Sequence, residues 1–306
     1  MIKVGVIRGG ADNTYDSSLA SGASIISLLR NQKLSSDYFP IDIFIDKDGI
    51  WHMGGIPTTP SKVAENVDVV FNALHGDSGQ NEGIQKILEE NNIPYTGSDS
   101  NAYFLTSDRA TVKEELAKVG INTPGHILYS AYLKDLDGTY EDYAENRARG
   151  VINRLPPPWV VKPLTRGSSM GTFVCRTSRE LIDAIIYGAH EKVSILIEEM
   201  IEGMNVSVSV VNNFRGKNVY PLLCLGDFSS EQKREVERLA ALAHETLKLR
   251  HYSQSNFIVT PKKEIYLVEL DAYPKLSVGS SIHKHLDDIG SSSIDFIKHI
   301  IEQAKL

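Results

Sequence analysis

Apolar residues recur along the chain in two patterns, one typical of buried strands and one typical of amphipathic helices. The segments IKVGVI (2–7) and VDVVFNAL (67–74) are continuous apolar runs, as in strands of a parallel sheet that is covered on both faces. The first run is followed by Gly9, Gly10 and a helix-periodic stretch through LASGASIISLLR, which is how open α/β sheets begin. We therefore expect an α/β fold that opens with a parallel sheet.

The rest of the chain mixes helical and strand patterns. Amphipathic periods predict helices at 108–119, 179–190 and 229–250. WVVK (159–162) predicts a strand, SILIEEMIEGMNVSVSVV predicts two strands around a turn, and NFIVTPKKEIYLVELDAYP predicts a hairpin with TPKKE as its turn. The prolines of RLPPPWVVKP mark the entry to a different region, and we place a domain boundary just before the helix at 108.

The composition is that of a soluble globular protein and excludes some partners. The 306 residues are enough for two or three domains of about 100 residues each. A formal net charge of −7 and an isoelectric point near 5.7 argue against a general nucleic-acid binder, which usually carries a basic face. No run approaches the ~18 apolar residues of a membrane span, so we expect no membrane partner.

Cysteine usage and the start of the chain indicate a compartment. Cys175 and Cys224, the two cysteines, both stand among apolar residues, which predicts buried thiols rather than a disulfide framework or a zinc site. The chain starts with a strand-like run and without a signal-peptide pattern. We expect a protein of the reducing cytoplasm.

The segment WVVKPLTRGSSMG (159–171) combines a lysine with a loop of glycine and serine. Backbone N–H groups in such a turn converge on an anion, and Lys162 adds a point charge. In a Walker A loop the lysine follows the glycines, whereas here it precedes them at the end of a strand. The segment therefore indicates a local phosphate site of another kind.

Six segments in one order extend this observation over nearly the whole chain. With them the chain resembles the ATP-grasp superfamily and, more narrowly, the D-alanine–D-alanine ligase family. The segments are RGG with SLASG near the start, FNALHG through IPYTGS at 71–98, SD…VK…GI.TP at 107–124, VVKP…GSSMG at 160–171, ILIEE.I.G at 195–203 and IYLVELDAYP at 265–274.

The resemblance implies a fold and a division into domains. The expected fold is α/β, with an N-terminal open parallel domain followed by two α+β subdomains that sandwich ATP. The implied domains are an N-terminal domain at 1–107, a central subdomain with the glycine-rich lid at 108–203, and a C-terminal subdomain with the metal-binding strand at 204–306. Family members are typically dimers through the N-terminal domain, which implies a homodimer.

The resemblance also implies the residues that bind ATP and Mg²⁺. Lys162 contacts the α- or β-phosphate, and Arg109 stands where the family has a second phosphate-binding lysine. Glu198 and the backbone of Glu199 and Ile201 face adenine. The remaining implied positions are Gly167, Ser168, Ser169 and Gly171 in the lid, Asn205 in place of a ribose-binding glutamate, and Asn256, Glu269 and Asp271 for Mg²⁺.

The positions for the amino-acid substrates depart most from the family. His75 stands near the first amino acid, Ser168 and Ser280 keep the serines expected in the lid and the substrate site, and Gln254 replaces an arginine that steadies the reaction centre. Thr14 replaces the glutamate that receives the substrate ammonium, although Ser18 is kept. Asn256 replaces a metal-binding aspartate. The long closing loop of the family, expected between YPLLCLGDF and residue 229, is almost absent.

The implied activity is that of an ATP-dependent carboxylate–amine ligase, which forms an amide bond through an acyl phosphate. ATP and Mg²⁺ are the implied cofactors, and D-alanine or a similar small amino acid is the implied substrate. Two alternatives stay open because of the departures. The chain is then either an ATP-binding paralogue with reduced or no ligase activity, or a ligase for a different amino acid.

Overall fold

The computed structural model describes residues 1–75, 83–131, 138–165, 170–224 and 226–306. The chain forms two compact units. Unit 1 comprises Met1–Thr106, Val206–Phe257 and Glu269–Leu306, and unit 2 comprises Ser107–Asn205 and Ile258–Val268. The division into the three segments 1–107, 108–203 and 204–306 stays a prediction.

Strands and helices are mixed along the described chain. In chain order the described elements are β1 (Ile2–Gly9), α1 (Tyr15–Leu29), β2 (Tyr38–Ile45), β3 (Trp51–Met53), β4 (Ile56–Thr58), α2 (Pro60–Ala64), β5 (Val69–Asn72), α3 (Gly83–Glu90), α4 (Ser100–Ser107), α5 (Arg109–Lys118), β6 (His126–Tyr129), α6 (Tyr140–Ile152), β7 (Trp159–Pro163), β8 (Phe173–Cys175), α7 (Ser178–His190), β9 (Ile195–Glu199), β10 (Met204–Phe214), β11 (Lys217–Pro221), α8 (Ser230–Thr246), β12 (Tyr252–Val259), β13 (Ile265–Asp271), α9 (Ser281–Asp288) and α10 (Ser293–Ala304).

The N-terminal sheet has the strand order β4-β3-β2-β1-β5. Strand β1 pairs in parallel with both β2 and β5, whereas the short strands β3 and β4 are antiparallel additions at one edge. Both faces of the parallel part are covered. Val4 and Val6 pack into one core cluster with α1 and α10, and Ile7 packs into another with α3. This two-sided burial explains the continuous apolar run that predicted the strand.

The turn after β1 requires glycine. Gly9 has a φ of 97°, which L side chains rarely adopt, and a Cβ there would lie 2.1 Å from the backbone oxygen of Ile45. The close passage lets the chain leave the sheet and enter α1 at its first turn. The carboxyl end of β1 therefore meets the N-terminal end of α1, where open α/β sheets carry their binding sites.

The sheet of unit 2 has the order β6-β9-β7-β8, and the pairs β6–β9, β7–β9 and β7–β8 are all antiparallel. One face of this sheet packs on α6 and α7. Trp159, Val161, Ile195 and Ile197 point to that face and join a core with apolar residues of both helices. The residues that alternate with them therefore point to the opposite face.

A third sheet has the order β11-β10-β12-β13. The predicted hairpin from Asn256 to Pro274 is confirmed as β12 and β13, with its turn after Val259. The helix predicted at 229–250 is too long, because α8 ends at Thr246 and Lys248 has a φ of 52°. A left-handed residue stops the helical hydrogen bonds, so the chain turns into β12 four residues earlier than the periodicity indicated.

The expectation of two buried thiols is borne out. Cys175 and Cys224 are both buried free thiols, and burial raises the pKa of each to about 11. Among the described helices, none combines the length and the apolar character that a membrane crossing requires.

Candidate active site

Unit 2 contains a buried cluster of two lysines around one glutamate. The Glu198 Oε2 atom lies 2.8 Å from Lys162 Nζ, and its Oε1 atom lies 2.8 Å from Lys113 Nζ. The side chains of Lys113, Glu198 and Lys162 are only 5%, 4% and 11% exposed. Lys162 Nζ also lies 3.5 Å from the carbonyl oxygen of Val268. Two of these three residues were predicted from the sequence, and the structure brings them into direct contact.

The pairing of β7 with β9 brings Lys162 and Glu198 together. Lys162 stands opposite Leu196, and Glu198 stands opposite Val160, so the two charged residues are diagonal neighbours across the pair. Diagonal neighbours two positions apart share one face of a sheet. That face is the one opposite the apolar core of α6 and α7. The alternation of strand residues therefore separates the charged cluster from the core.

Lys113 was not predicted from the sequence. It lies on α5, where Ala110, Val112 and Leu116 are also buried, and thus occupies a core-facing position of the helix. Burial lowers the pKa of Lys113, and the adjacent Glu198 carboxylate partly opposes this. A lysine at a core-facing helix position was the signal in the sequence, because such a side chain is almost never fully buried unless it is paired.

Arg109 begins the same helix and binds the backbone at the end of β7. Its guanidinium donates to the carbonyl oxygens of Pro163 (2.7 Å) and Thr165 (3.2 Å). The backbone N–H of Arg109 donates to the carbonyl oxygen of Leu164. A planar guanidinium suits such a fork of acceptors. Arg109 therefore holds the strand end that leads into the predicted lid.

The other predicted nucleotide residues are partly placed. Gly167, Ser168 and Ser169 lie outside the described residues, and Gly171 has nothing within 4 Å of the position of a Cβ. Within the strand that carries Glu198, the Glu199 N–H donates to the carbonyl of Gly125, so this N–H has a protein partner in the fold. Ile201 is half-buried and Asn205 is exposed.

Unit 1 holds His75 by both ring nitrogens. Nδ1 lies 2.9 Å from the carbonyl oxygen of Tyr273, and Nε2 lies 2.8 Å from the hydroxyl of Ser21. A carbonyl only accepts, so Nδ1 carries the proton and Nε2 accepts from the hydroxyl. Burial lowers the pKa of His75. The ring is thus a neutral link between α1 and the segment after β13.

One face of α1 carries hydroxyl groups to the ends of the parallel strands. Ser21 also accepts from the N–H of Leu276 (3.1 Å), and Ser18 joins the Gly9 N–H to the Ala73 carbonyl, each at 2.9 Å. The Thr14 hydroxyl contacts Asp12 Oδ1 at 2.6 Å and the carbonyl of His75. Thr14, Ser18 and Ser21 recur at helical spacing, a polar stripe that could have identified Ser21 from the sequence.

The predicted metal residues share the half-buried face of β12 and β13. Glu269 and Asp271 flank the buried Leu270 on β13, and Asn256 stands on the neighbouring strand. Asn256 Nδ2 lies 3.4 Å from Glu269 Oε2, while its Oδ1 accepts from Ser207 at 2.9 Å. Within the part of the chain that the structure describes, no three His, Cys, Asp or Glu residues cluster as a metal site.

This donor set fits Mg²⁺ through its two carboxylates. Mg²⁺ takes hard oxygen ligands and is usually held by one or two carboxylates together with phosphates and water. Glu269 and Asp271 provide such oxygens on one face. Asn256 directs its NH₂ group at Glu269 and thereby binds the carboxylate that an aspartate at this position would repel.

The last two predicted residues lie on the same unit. Gln254 Nε2 lies 3.4 Å from Asn256 Oδ1, so its amide is next to the metal face. The Ser280 hydroxyl is buried at the N-terminus of α9 and has no hydrogen-bond partner among the described residues.

Three comparisons with known proteins agree with this architecture. Residues 120–223 match the family model described as D-ala D-ala ligase C-terminus. The chain is 26% identical to a D-alanine–D-alanine ligase of Clostridium beijerinckii over 99% of this chain and 98% of the relative. It superposes on the D-alanine–D-alanine ligase of Coxiella burnetii with a TM-score of 0.84 at 20% identity, covering 99% and 94% of the two chains. A D-Ala:D-Ser ligase from Enterococcus faecalis gives 0.82 at 20%, covering 99% of each.

The architecture and the charged strand residues together define a class of protein. The expected α/β architecture is confirmed, and the chain has the ATP-grasp fold. The expected resemblance is confirmed over nearly the full length as well. The chain is similar to the D-alanine–D-alanine ligase family over nearly its full length, and residues 120–223 match the family model itself.

Proposed function

We propose that this protein is an ATP-dependent ligase that joins a carboxylate to an amine, in the manner of D-alanine–D-alanine ligases. ATP phosphorylates the carboxylate of one small amino acid, and the amine of a second displaces phosphate to leave an amide bond. ATP and Mg²⁺ are its cofactors. The protein acts in the cytoplasm as a homodimer on D-alanine or a related D-amino acid, without nucleic-acid or membrane partners.

The buried lysine–glutamate–lysine cluster carries the proposal. Two ammonium groups and one carboxylate leave one net positive charge in a place that is almost closed to solvent. Such a charge is costly unless an anion joins it. Lys162 also ends the strand that leads into the glycine- and serine-rich segment, where backbone N–H groups can complete a phosphate site. A nucleoside triphosphate suits this cluster better than a singly charged ligand.

Each unit supplies its own groups for the reaction. In unit 2, Lys162 binds the phosphates of ATP, Arg109 fixes the base of the lid, and Glu198 with Glu199, Ile201 and Asn205 lines the nucleoside. In unit 1, Glu269 and Asp271 hold Mg²⁺, which neutralises developing charge on the phosphoryl group. His75 and Ser280 line the amino-acid side. The lid residues Gly167, Ser168, Ser169 and Gly171 keep water from the acyl phosphate.

The decisive experiment follows ADP release and peptide formation together. The protein is incubated with Mg²⁺, ATP and a panel of D- and L-amino acids, and products are separated by chromatography. We expect ATP turnover and weak or undetectable D-Ala–D-Ala, because Thr14 cannot neutralise an ammonium group and that contact is worth roughly 1.5–3 kcal/mol. If the protein does not bind the nucleotide and releases no ADP with any amino acid, the ligase proposal is wrong.

A second candidate function is an ATP-binding paralogue that ligates nothing. It is favoured by one observation in unit 1, where the Thr14 hydroxyl is bound to Asp12 and to the His75 carbonyl and presents no charge of its own. Nucleotide binding with no ADP release, whatever amino acid is supplied, would support this candidate. Efficient D-Ala–D-Ala synthesis would contradict it and would mean that another residue replaces the lost glutamate.

A further inference from the structure

We propose that Lys113 is a positioning residue of the nucleotide site, which acts on the phosphates through Glu198 and Lys162 rather than by contact of its own. Lys113 binds one oxygen of Glu198 and thereby keeps this carboxylate from neutralising Lys162 completely. The inference rests on the proposed function, because it assigns a second lysine to the same ATP site.

The geometry of the carboxylate supports this division of roles. Each oxygen of Glu198 pairs with a different lysine at 2.8 Å, so that the carboxylate bridges α5 and β7. Lys113 Nζ and Glu198 Oε1 have no hydrogen-bond partner beyond this ion pair among the described residues. The two groups therefore depend on each other. Among the described residues, removal of Lys113 leaves Lys162 as the one cation paired with Glu198.

The charge of the cluster gives the expected consequence. With both lysines present the cluster carries one net positive charge, and with Lys162 and Glu198 alone it carries none. Burial keeps solvent from screening this difference. A phosphate that approaches Lys162 would then meet a neutral ion pair instead of a cationic cluster. Lys113 thus sets how much positive charge Lys162 offers, although its own ammonium is bound on the other side of the carboxylate.

The position of Lys113 separates it from the groups assigned to direct phosphate contact. It lies on helix α5, whereas Lys162 lies on strand β7, which leads into the predicted lid. A lysine that contacted the phosphate directly would add its own share of binding energy. One that acts through Glu198 and Lys162 would lose its effect once Lys162 is gone.

A double-mutant cycle on nucleotide affinity tests this difference. Binding of a non-hydrolysable ATP analogue with Mg²⁺ is measured by calorimetry for the full-length parent, Lys113→Met, Lys162→Met and the double variant. We expect Lys113→Met to weaken binding about tenfold, the scale of one charged contact of about 1.4 kcal/mol. In the Lys162→Met background the same change leaves a buried Glu198 without either lysine, and a buried carboxyl group without a cation takes up a proton. The cluster is then neutral with or without Lys113, so the change should weaken binding less than about twofold.

Two further variants separate positioning from folding. Lys118→Met removes an exposed lysine of the same helix, which is 65% exposed and paired with Glu115, and should bind like the parent. Lys113→Arg keeps the charge and should bind within about threefold of the parent, and it serves as the test if Lys113→Met does not fold. Thermal unfolding of every variant identifies those that are folded.

The outcomes distinguish this inference from the proposed function. Three results would overturn the role of Lys113 and leave the ligase proposal in place. They are unchanged affinity in folded Lys113→Met, an equal loss in both backgrounds, and a tenfold loss in folded Lys113→Arg. No binding by the parent protein would overturn both. A loss in Lys113→Met that disappears in the Lys162→Met background, with Lys118→Met like the parent, would support the inference.

Discussion

The two units treat their functional charges in opposite ways. Unit 2 keeps Lys113, Glu198 and Lys162 almost fully buried and pairs each lysine with the same carboxylate. Unit 1 presents Glu269 and Asp271 on a half-buried strand face, next to the neutral amides of Asn256 and Gln254. A buried charge must be balanced in the fold itself, whereas a half-exposed one is solvated by water. If unit 2 binds the nucleotide and unit 1 binds the amino acids, as proposed, packing fixes the nucleotide side and leaves the amino-acid side free to change.

The same contrast extends to hydrogen bonding. The His75 ring in unit 1 is hydrogen-bonded to a neutral carbonyl and a neutral hydroxyl, and that hydroxyl also accepts from the N–H of Leu276. Replacing a charge there by a neutral group changes ligand preference without leaving a buried ion unpaired. In unit 2 the loss of one charged partner leaves another buried and uncompensated. Substrate specificity is therefore the property expected to differ from that of the relatives, and nucleotide binding the one expected to be kept.

Acid should lower the free energy of unfolding of unit 1 more than that of unit 2. Burial lowers the pKa of His244 and of His251 in unit 1 to about 4, against 6.5 when unfolded. Their stabilising effect is complete above pH 6.5 and is lost as the pH falls towards 4, because the unfolded chain then binds more protons. At pH 5 we expect a loss of about 2 kcal/mol for each histidine.

The two tryptophans allow the units to be followed separately. Trp51 lies in unit 1 and Trp159 in unit 2. Urea unfolding of Trp159→Phe reports unit 1, and that of Trp51→Phe reports unit 2, each at pH 7 and pH 5. The transition of unit 1 should move further, and His244→Asn should reduce the shift. If the urea midpoints of both units shift equally between pH 7 and pH 5, the two units do not differ in their sensitivity to acid.

Removal of Lys162 should give the largest effect on ligand binding. Lys162→Met deletes a charged contact to phosphate, worth about 1.5–3 kcal/mol, and leaves Glu198 with Lys113 alone. We expect affinity for a non-hydrolysable ATP analogue to fall by about ten- to 150-fold in calorimetry. The exposed lysine variant Lys118→Met is the matched control. Unchanged affinity would show that the cationic cluster is structural only.

A carboxylate at position 256 should restore a stronger metal site in unit 1. Asn256→Asp replaces the amide that binds Glu269 by a group that repels it until Mg²⁺ is present. We expect the Mg²⁺ concentration for half-maximal ATP turnover to fall about tenfold, an effect of about 1.4 kcal/mol. Thermal stability without Mg²⁺ should fall and recover when the ion is added.

An exposed substitution gives the control for this variant. Asn218→Asp adds the same charge on the exposed strand β11 and should change neither measurement. If Asn256→Asp leaves the Mg²⁺ dependence as it is in the parent, the residue does not belong to the metal site.

The smallest effect on nucleotide binding is expected at Ser21. Ser21→Ala removes the hydroxyl that joins His75 Nε2 to the N–H of Leu276, and leaves both groups buried without this partner. We expect unfolding to become easier by about 1–3 kcal/mol and the KM for the amino acid to rise, while nucleotide affinity stays constant. Ser24→Ala on the same helix is the control, because it removes an exposed hydrogen bond from the Val278 N–H to the Ser24 hydroxyl. A change in nucleotide affinity would contradict the separation of roles.

Sequence patterns located the elements with regular periods, but they misplaced an end that depends on neighbouring elements. The apolar runs located β1 and β5, because strands buried on both faces contain little else. The helix predicted at 229–250 ended instead at Thr246. Nothing in the local series of leucines and basic residues specifies the left-handed conformation of Lys248, which follows from the need to enter β12.

For the candidate site, the sequence determined which chemical groups are available, and the tertiary structure decided which of them meet. Lys162, Glu198, Glu269 and Asp271 were predicted as site residues because the segments that carry the family resemblance, and their order, are properties of the chain itself. Lys113 and Ser21 were not, because each acquires its meaning from a partner far along the chain, 85 residues away for Glu198 and 54 for His75. The pairing of β7 with β9 brings Lys162 to Glu198, and the position of α5 brings Lys113 to the same carboxylate. The tertiary structure alone places these two ammonium groups together.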